Sequence, residues 1–144
     1  MRSGYSSWGR PTRPKGRAPR KSGPVSILSR GEYLIASIQS DLSDAEVVEF
    51  RDDVAERLGS HDARGVVVDV AALDVIDSFV ARALRSIAVT ARLRGAETVI
   101  AGIQPDVAIA MVHFRLDLAP LRTALDLDDA LELLQRSLYA RANE

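Results

Sequence analysis

A run of β-branched residues near the middle of the chain most constrains its fold. Residues 66–70 read Val-Val-Val-Asp-Val, a pattern typical of a strand that is covered on both faces. Apolar residues recur at helical spacing before this run, from Val47 to Leu58, and after it, from Val80 to Ala91. A buried strand between two amphipathic helices predicts a mainly parallel sheet with helical layers.

The rest of the chain continues this alternation. A hairpin is expected where two short strand patterns flank Arg30-Gly31-Glu32. The strands are expected at Val25–Ser29, Tyr33–Gln39, Gly65–Val70, Thr98–Ala101 and Arg122–Ala124, and the helices at residues 44–58, 78–94, 105–116 and 127–142. We therefore expect an α/β fold with a small mixed sheet, in which a leading hairpin is followed by mostly parallel strands and about four helices flank the sheet.

Capping residues support several of these helix boundaries. Ser43 and Glu46 form a capping-box pattern, and Gly59 is expected to end that helix. Gly95 closes the next helix, and Pro105 opens the third, because proline is favoured at the first helical position.

The first residues differ in composition from the rest. Residues 1–23 hold seven of the 19 Lys and Arg residues and none of the 20 acidic residues, and residues 1–24 hold four of the six prolines. We expect residues 1–24 to form a disordered basic tail and residues 25–142 to form one domain. We do not expect nucleic acid as a partner, except through salt-dependent contacts with this tail.

The familiar signatures of enzymes are missing from the sequence. It lacks a glycine-rich dinucleotide loop after a strand, a phosphate-binding loop and a nucleophile elbow. It contains no cysteine, its two histidines, His61 and His113, are far apart, and it has no apolar run long enough to span a membrane. We therefore expect no catalytic residue, no metal, no cofactor and no membrane span.

The junction between the central strand and the second helix carries the main candidate site. Residues 75–79 read Val-Ile-Asp-Ser-Phe, which places the hydroxyl of Ser78 at the start of a helix. Free N–H groups and the positive end of the helix dipole favour an added phosphate there. Two interpretations stay open: Asp77 or Ser78 only caps the helix, contributing about 1 kcal/mol, or Ser78 is a phospho-acceptor.

Helical spacing assigns neighbours to this serine. Arg82 and Arg85 lie on the outward face with Ser78, and Arg82, at i+4, is close enough to reach a phosphate on the serine. Asp77 opposes that phosphate by charge repulsion, and Phe79 adds apolar surface suited to a protein partner. We therefore take Asp77, Phe79, Arg82 and Arg85 as candidate contacts to a phosphate or a partner.

Several sequence blocks, in this order and at close spacing, resemble the STAS domains, specifically the small RsbS-type subunit of bacterial stressosomes, a relative of the anti-sigma factor antagonists. The resemblance covers about residues 25–136. It rests on residues 65–70 (Gly-Val-Val-Val-Asp-Val), 75–82 (Val-Ile-Asp-Ser-Phe-Val-Ala-Arg), 91–99 (Ala-Arg-Leu-Arg-Gly-Ala-Glu-Thr-Val), 102–108 (Gly-Ile-Gln-Pro-Asp-Val-Ala) and 122–128 (Arg-Thr-Ala-Leu-Asp-Leu-Asp).

This resemblance implies the STAS fold and a cytoplasmic, non-enzymatic role in stress signalling. It implies that Ser78 is phosphorylated by an RsbT-type serine kinase, which the unmodified protein sequesters and the phosphorylated protein releases. It further implies a large oligomeric assembly with RsbR-type sensor subunits, and an RsbX-type phosphatase that resets the site. A different possibility is a module that binds a nucleotide or a lipid near Asp69 and Asp74, at the end of the central strand.

Overall fold

A computed structural model describes residues 23–119 and 121–143, which form five strands and four helices. In chain order these are β1 (Val25–Arg30), β2 (Tyr33–Ile38), α1 (Asp44–Ser60), β3 (Gly65–Asp69), α2 (Ser78–Leu93), β4 (Glu97–Ala101), α3 (Pro105–His113), β5 (Arg122–Ala124) and α4 (Leu127–Ala142). Residues 1–22, which are most of the basic tail expected at residues 1–24, lie outside the described residues.

The strands form one sheet in the order β1-β2-β3-β4-β5. β1 and β2 are antiparallel, with Arg30 opposite Tyr33, and Gly31 adopts a positive φ of 60° in the tight turn between them. β2, β3, β4 and β5 pair in parallel. The expected leading hairpin, parallel sheet and four helices are therefore confirmed.

The two faces of the sheet are covered by different helices. Val66 and Val68 of β3 pack with side chains of α1, α2 and α3, whereas Val67 packs with Ala130 and Leu134 of α4. Right-handed crossovers between strands added in one direction place their helices on one face. α4 follows the last strand, and it covers the face that those helices leave open.

α4 lies very close to the start of the central strand. A β-carbon built at Gly65 would stand 2.8 Å from Cδ1 of Leu134, a separation that real side chains do not adopt. Leu134 itself is fully buried. Glycine at the first position of β3 therefore permits the close approach of the helix.

The helix ends differ from the expectations at a few residues. α1 continues through Gly59 to Ser60, and α3 ends at His113, three residues before the expected Leu116. Arg115 has a left-handed φ of 57°, and the amide of Leu116 donates to the carbonyl of Met111 at 2.9 Å. This is the hydrogen-bond pattern that ends many helices at a glycine, and an arginine at that position gives no such signal in the sequence.

We predict that Leu134→Ala lowers the free energy of unfolding by about 2–5 kcal/mol, because it removes the largest fully buried side chain that α4 places against β3. Urea unfolding followed by circular dichroism measures the loss. Leu125→Ala is the matched control, since Leu125 is 79% exposed and its truncation is expected to change stability by about 0.5 kcal/mol or less. Equal effects of the two substitutions would contradict the packing role of α4.

Candidate functional site

The candidate site lies in the loop that connects the carboxyl end of β3 to α2. Leu73 and Ile76 bury their side chains in the main core, at 3% and 4% exposure, and so anchor this loop. Val75, between them, is 59% exposed. The loop therefore reaches α2 with its backbone held to the core and its polar residues at the surface.

Asp77, and not Ser78, caps α2. Asp77 is in an extended conformation, and its Oδ1 accepts a hydrogen bond from the backbone N–H of Val80 at 2.9 Å. Its backbone carbonyl accepts from the amide of Ala81, also at 2.9 Å. The capping role therefore belongs to the aspartate, and the role of Ser78 as a phospho-acceptor stays a prediction.

Ser78 is the first residue of α2 and is exposed. The first turn of an α-helix has amides without intrahelical partners, and it is the positive end of the helix dipole. α2 holds no acidic residue in its first turn. The hydroxyl does not cap the helix, and the residue is accessible from solvent.

The two candidate arginines differ in their surroundings. Arg82 is exposed, one turn after Ser78, and takes part in none of the ion pairs found among the described residues. Arg85 is half-buried, and its Nη1 donates to the backbone carbonyl of Asp117, in the segment between α3 and β5. This contact turns the Arg85 guanidinium toward that segment, and a contact of Arg85 with a phosphate or a partner stays a prediction.

The length of α2, from Phe79 near the site to Leu93 at its far end, carries both apolar and cationic side chains. Phe79 is half-buried at the start of α2, while Val89 and Leu93 are 52% and 83% exposed further along the helix. Arg92 is exposed between them. Arginine together with apolar surface is the composition enriched in protein interfaces.

The carboxylates near the end of β3 shape the loop. Oδ1 of Asp69 accepts from the amide of Ala71 at 2.9 Å, which is a local turn contact. The backbone N–H of Asp74 donates to Oδ1 of Asp41, from the connection between β2 and α1, at 3.1 Å.

A cleft near this end of the sheet is lined by Asp41 and Glu46 together with residues 23–24 and 39–40. Neither Asp69 nor Asp74 lines it. Carboxylates at that cleft disfavour the phosphate of a nucleotide or lipid.

Two residues of this region gave no functional signal in the sequence. Asp41 reaches the loop through the contact just described, and Gln104 reaches it from the start of α3. Both act on backbone groups more than 30 positions away. Gln104 belongs to one of the recognised sequence blocks, which was the only available hint of its role.

In the described part of the chain, no helix is sufficiently long and apolar to cross a membrane.

Comparisons with known proteins agree with this geometry. A family model described as STAS domain matches residues 25–130. Among curated proteins, the uncharacterized protein YezB of Bacillus subtilis (strain 168) is 36% identical over 67 residues, which cover 46% of this chain and 68% of that protein.

Two solved structures are similar over most of the chain. A serine-to-glutamate variant of RsbS from Moorella thermoacetica has a TM-score of 0.71 and 33% identity, covering 81% of this chain and 99% of that one. A chain from the stressosome, described as a signal integration and transduction hub, has a TM-score of 0.64 and 32% identity, covering 78% of this chain and 98% of that one.

We predict that Asp77→Ala lowers the free energy of unfolding by about 0.5–2 kcal/mol, because the amide of Val80 loses its acceptor. Ser78→Ala is the matched control and is expected to change stability by about 0.5 kcal/mol or less, since the hydroxyl is exposed. Thermal and urea unfolding of both variants measure the difference. A larger loss for Ser78→Ala than for Asp77→Ala would reverse the assignment of the cap.

Proposed function

Because the chain belongs to the STAS domain family, we propose that it is a non-enzymatic stress-signalling subunit that sequesters a switch serine kinase and releases it when Ser78 is phosphorylated. One observation carries the proposal: Ser78 is exposed at the first position of α2 while Asp77 caps the helix. Capping and modification therefore fall on adjacent residues. The serine is available for chemistry, and the helix keeps its cap.

The local charges favour a phosphate on Ser78. A phosphoserine carries a charge of about −2 and strong acceptor oxygens, which the first-turn amides and the helix dipole stabilise. Arg82, one turn along, supplies a guanidinium for charge-assisted hydrogen bonds. Asp77 repels the phosphate, but its carboxylate is exposed and solvent screens that repulsion.

The same charge weakens a protein docked on this surface. A kinase seated over Ser78 excludes water, so a new phosphate becomes a buried charge that the interface was not built to pair. A loss of about 2–3 kcal/mol lowers affinity by roughly two orders of magnitude. Ser78 lies outside the core, so release of the kinase requires no rearrangement of the fold.

The proposed partners follow from the family. The solved relatives are an RsbS protein and a chain of the stressosome, which supports an oligomeric assembly of STAS subunits. Within this proposal the partners are RsbR-type sensor subunits, an RsbT-type kinase and an RsbX-type phosphatase in the bacterial cytoplasm. The mixed surface of Phe79, Val89, Arg92 and Leu93 is suited to contacts of this kind.

We predict that a purified RsbT-type kinase with Mg-ATP adds one phosphate to the protein, at Ser78. Peptide mapping by mass spectrometry locates the modification, and Ser78→Ala is expected to abolish it. Ser29, Ser40, Ser43 and Ser60 serve as internal controls because they are also exposed. Phosphate on those serines with none on Ser78 would defeat the site assignment.

We predict that Ser78→Asp weakens binding of the kinase by about tenfold or more, because a carboxylate at this position becomes a buried charge in the complex. Ser78→Ala is expected to bind as the wild type does. Isothermal titration calorimetry measures the affinities. Ser29→Asp, which adds the same charge to an exposed serine of the edge strand β1, is the matched control, and equal weakening by both aspartates would contradict a local charge effect.

A further inference from the structure

Gln104 occupies the capping position of α3 without capping that helix. Its side chain makes no capping hydrogen bond, and the helix instead begins with Pro105 at its first position. The amide nitrogen Nε2 points across to the loop between β3 and α2. There it donates to the backbone carbonyls of Ala71, at 2.6 Å, and Leu73, at 3.2 Å.

The loop that Gln104 contacts is the one that ends at Asp77 and Ser78. Residues 70–77 contain no helix or strand, so their backbone groups depend on partners outside regular structure. Gln104 satisfies two carbonyls of this loop, and both bonds join positions more than 30 residues apart. The contact therefore connects the start of α3 to the loop that leads into Ser78.

The backbone next to Gln104 lies close to the loop between β3 and α2. Gly102 has a φ of 85°, and a β-carbon built there would stand 3.0 Å from Cβ of Ala71. The two loops are thus in close contact two residues before Gln104. On the other side of the loop, Asp41 accepts from the amide of Asp74. The loop is held from both neighbouring connections.

A primary amide is the group that suits this position. An NH₂ group has two hydrogens, one for each of two carbonyl oxygens. A glutamate of nearly the same size would set a carboxylate oxygen against those carbonyls, with no hydrogen to donate. The contact therefore depends on the chemistry of the side chain and not only on the space that it fills.

We propose that Gln104 is a positioning residue that holds the loop before Ser78 in the conformation presented to the kinase. This inference rests on the proposed function, because it concerns phosphorylation of the same serine. A loop that is already ordered spares the complex the entropy of ordering it, which strengthens binding. Loss of the two hydrogen bonds weakens recognition of the serine without altering the hydroxyl.

The test compares Gln104→Glu and Gln104→Ala with the wild-type protein. Ser137→Ala is the control, because it removes one side-chain hydrogen bond, to Glu97, from α4 on the opposite face of the sheet. Hydrogen exchange is followed at the amides of Leu73 and Asp74, which bond to Val70 and Asp41. In both Gln104 variants these amides are expected to exchange about fivefold faster or more.

The amide of Ala108 reports whether α3 itself remains formed. It donates to the backbone carbonyl of Gln104 at 2.9 Å, a bond that neither substitution removes. Its exchange is expected to match that of the wild type. Ser137→Ala is expected to leave the exchange of Leu73 and Asp74 unchanged.

Steady-state phosphorylation by a purified RsbT-type kinase with Mg-ATP gives the functional readout. For both Gln104 variants, kcat/KM at Ser78 is expected to fall about fivefold, carried by a higher KM for the protein substrate. If Gln104 only filled space, Gln104→Glu would behave as the wild type. That result, wild-type exchange in both variants, or a loss confined to kcat would overturn the inference.

The two proposals fail in distinguishable ways. If the wild-type protein acquires no phosphate on Ser78, the proposed function fails, and the inference fails with it as a statement about kinase recognition. If Ser78 is phosphorylated in the wild type and both Gln104 variants match it in exchange and kinetics, only the role of Gln104 is refuted. Faster exchange together with a higher KM supports both.

Discussion

The burial of β3 on both faces is the constraint on which the rest of the structure depends. Val66, Val67 and Val68 have no exposed surface, and the strand lies between two parallel neighbours at the centre of the sheet. A strand covered in this way cannot slip by one residue, because its two sets of side chains meet different helices. Its carboxyl end is therefore fixed, and with it the point at which the chain turns toward Ser78.

The junction after β3 separates two tasks between adjacent residues. Asp77 satisfies an amide of the first turn of α2 and so contributes to stability. Ser78 contributes an exposed hydroxyl at the end of the helix where negative charge is favoured. Because the cap does not involve the serine, modification of the hydroxyl leaves the helix start intact. Under the proposed function, a change of charge at Ser78 would act on a docked partner and leave the core unchanged.

The neighbouring connections on either side of this junction also stabilise the loop by hydrogen bonds. Asp41 belongs to the connection after β2, and Gln104 to the connection after β4, and both bond to the backbone of the loop that leaves β3. In a parallel sheet the carboxyl ends of neighbouring strands meet at one edge. Residues from the two neighbouring connections can therefore hold the loop that leaves β3.

The amino-acid sequence by itself determined the order of strands and helices, because burial periodicity and capping residues are local signals. The valine run, the capping box of Ser43 and Glu46 and the closure at Gly95 were all read correctly. The position of Ser78 at a helix start also followed from local pattern, and the recognised blocks gave the family. The end of α3 did not follow, because Arg115 takes a backbone conformation that its residue type disfavours.

Only the tertiary structure decided which side chains serve the site. It assigned the cap to Asp77 over Ser78 and turned Arg85 toward the carbonyl of Asp117, leaving Arg82 beside the serine. It also brought Asp41 and Gln104 to the loop from positions more than 30 residues away. Hydrogen bonds to backbone carbonyls and amides carry no residue-type signature at the partner's position. The packing of the sheet and its connections determines such contacts, and a local sequence pattern cannot predict them.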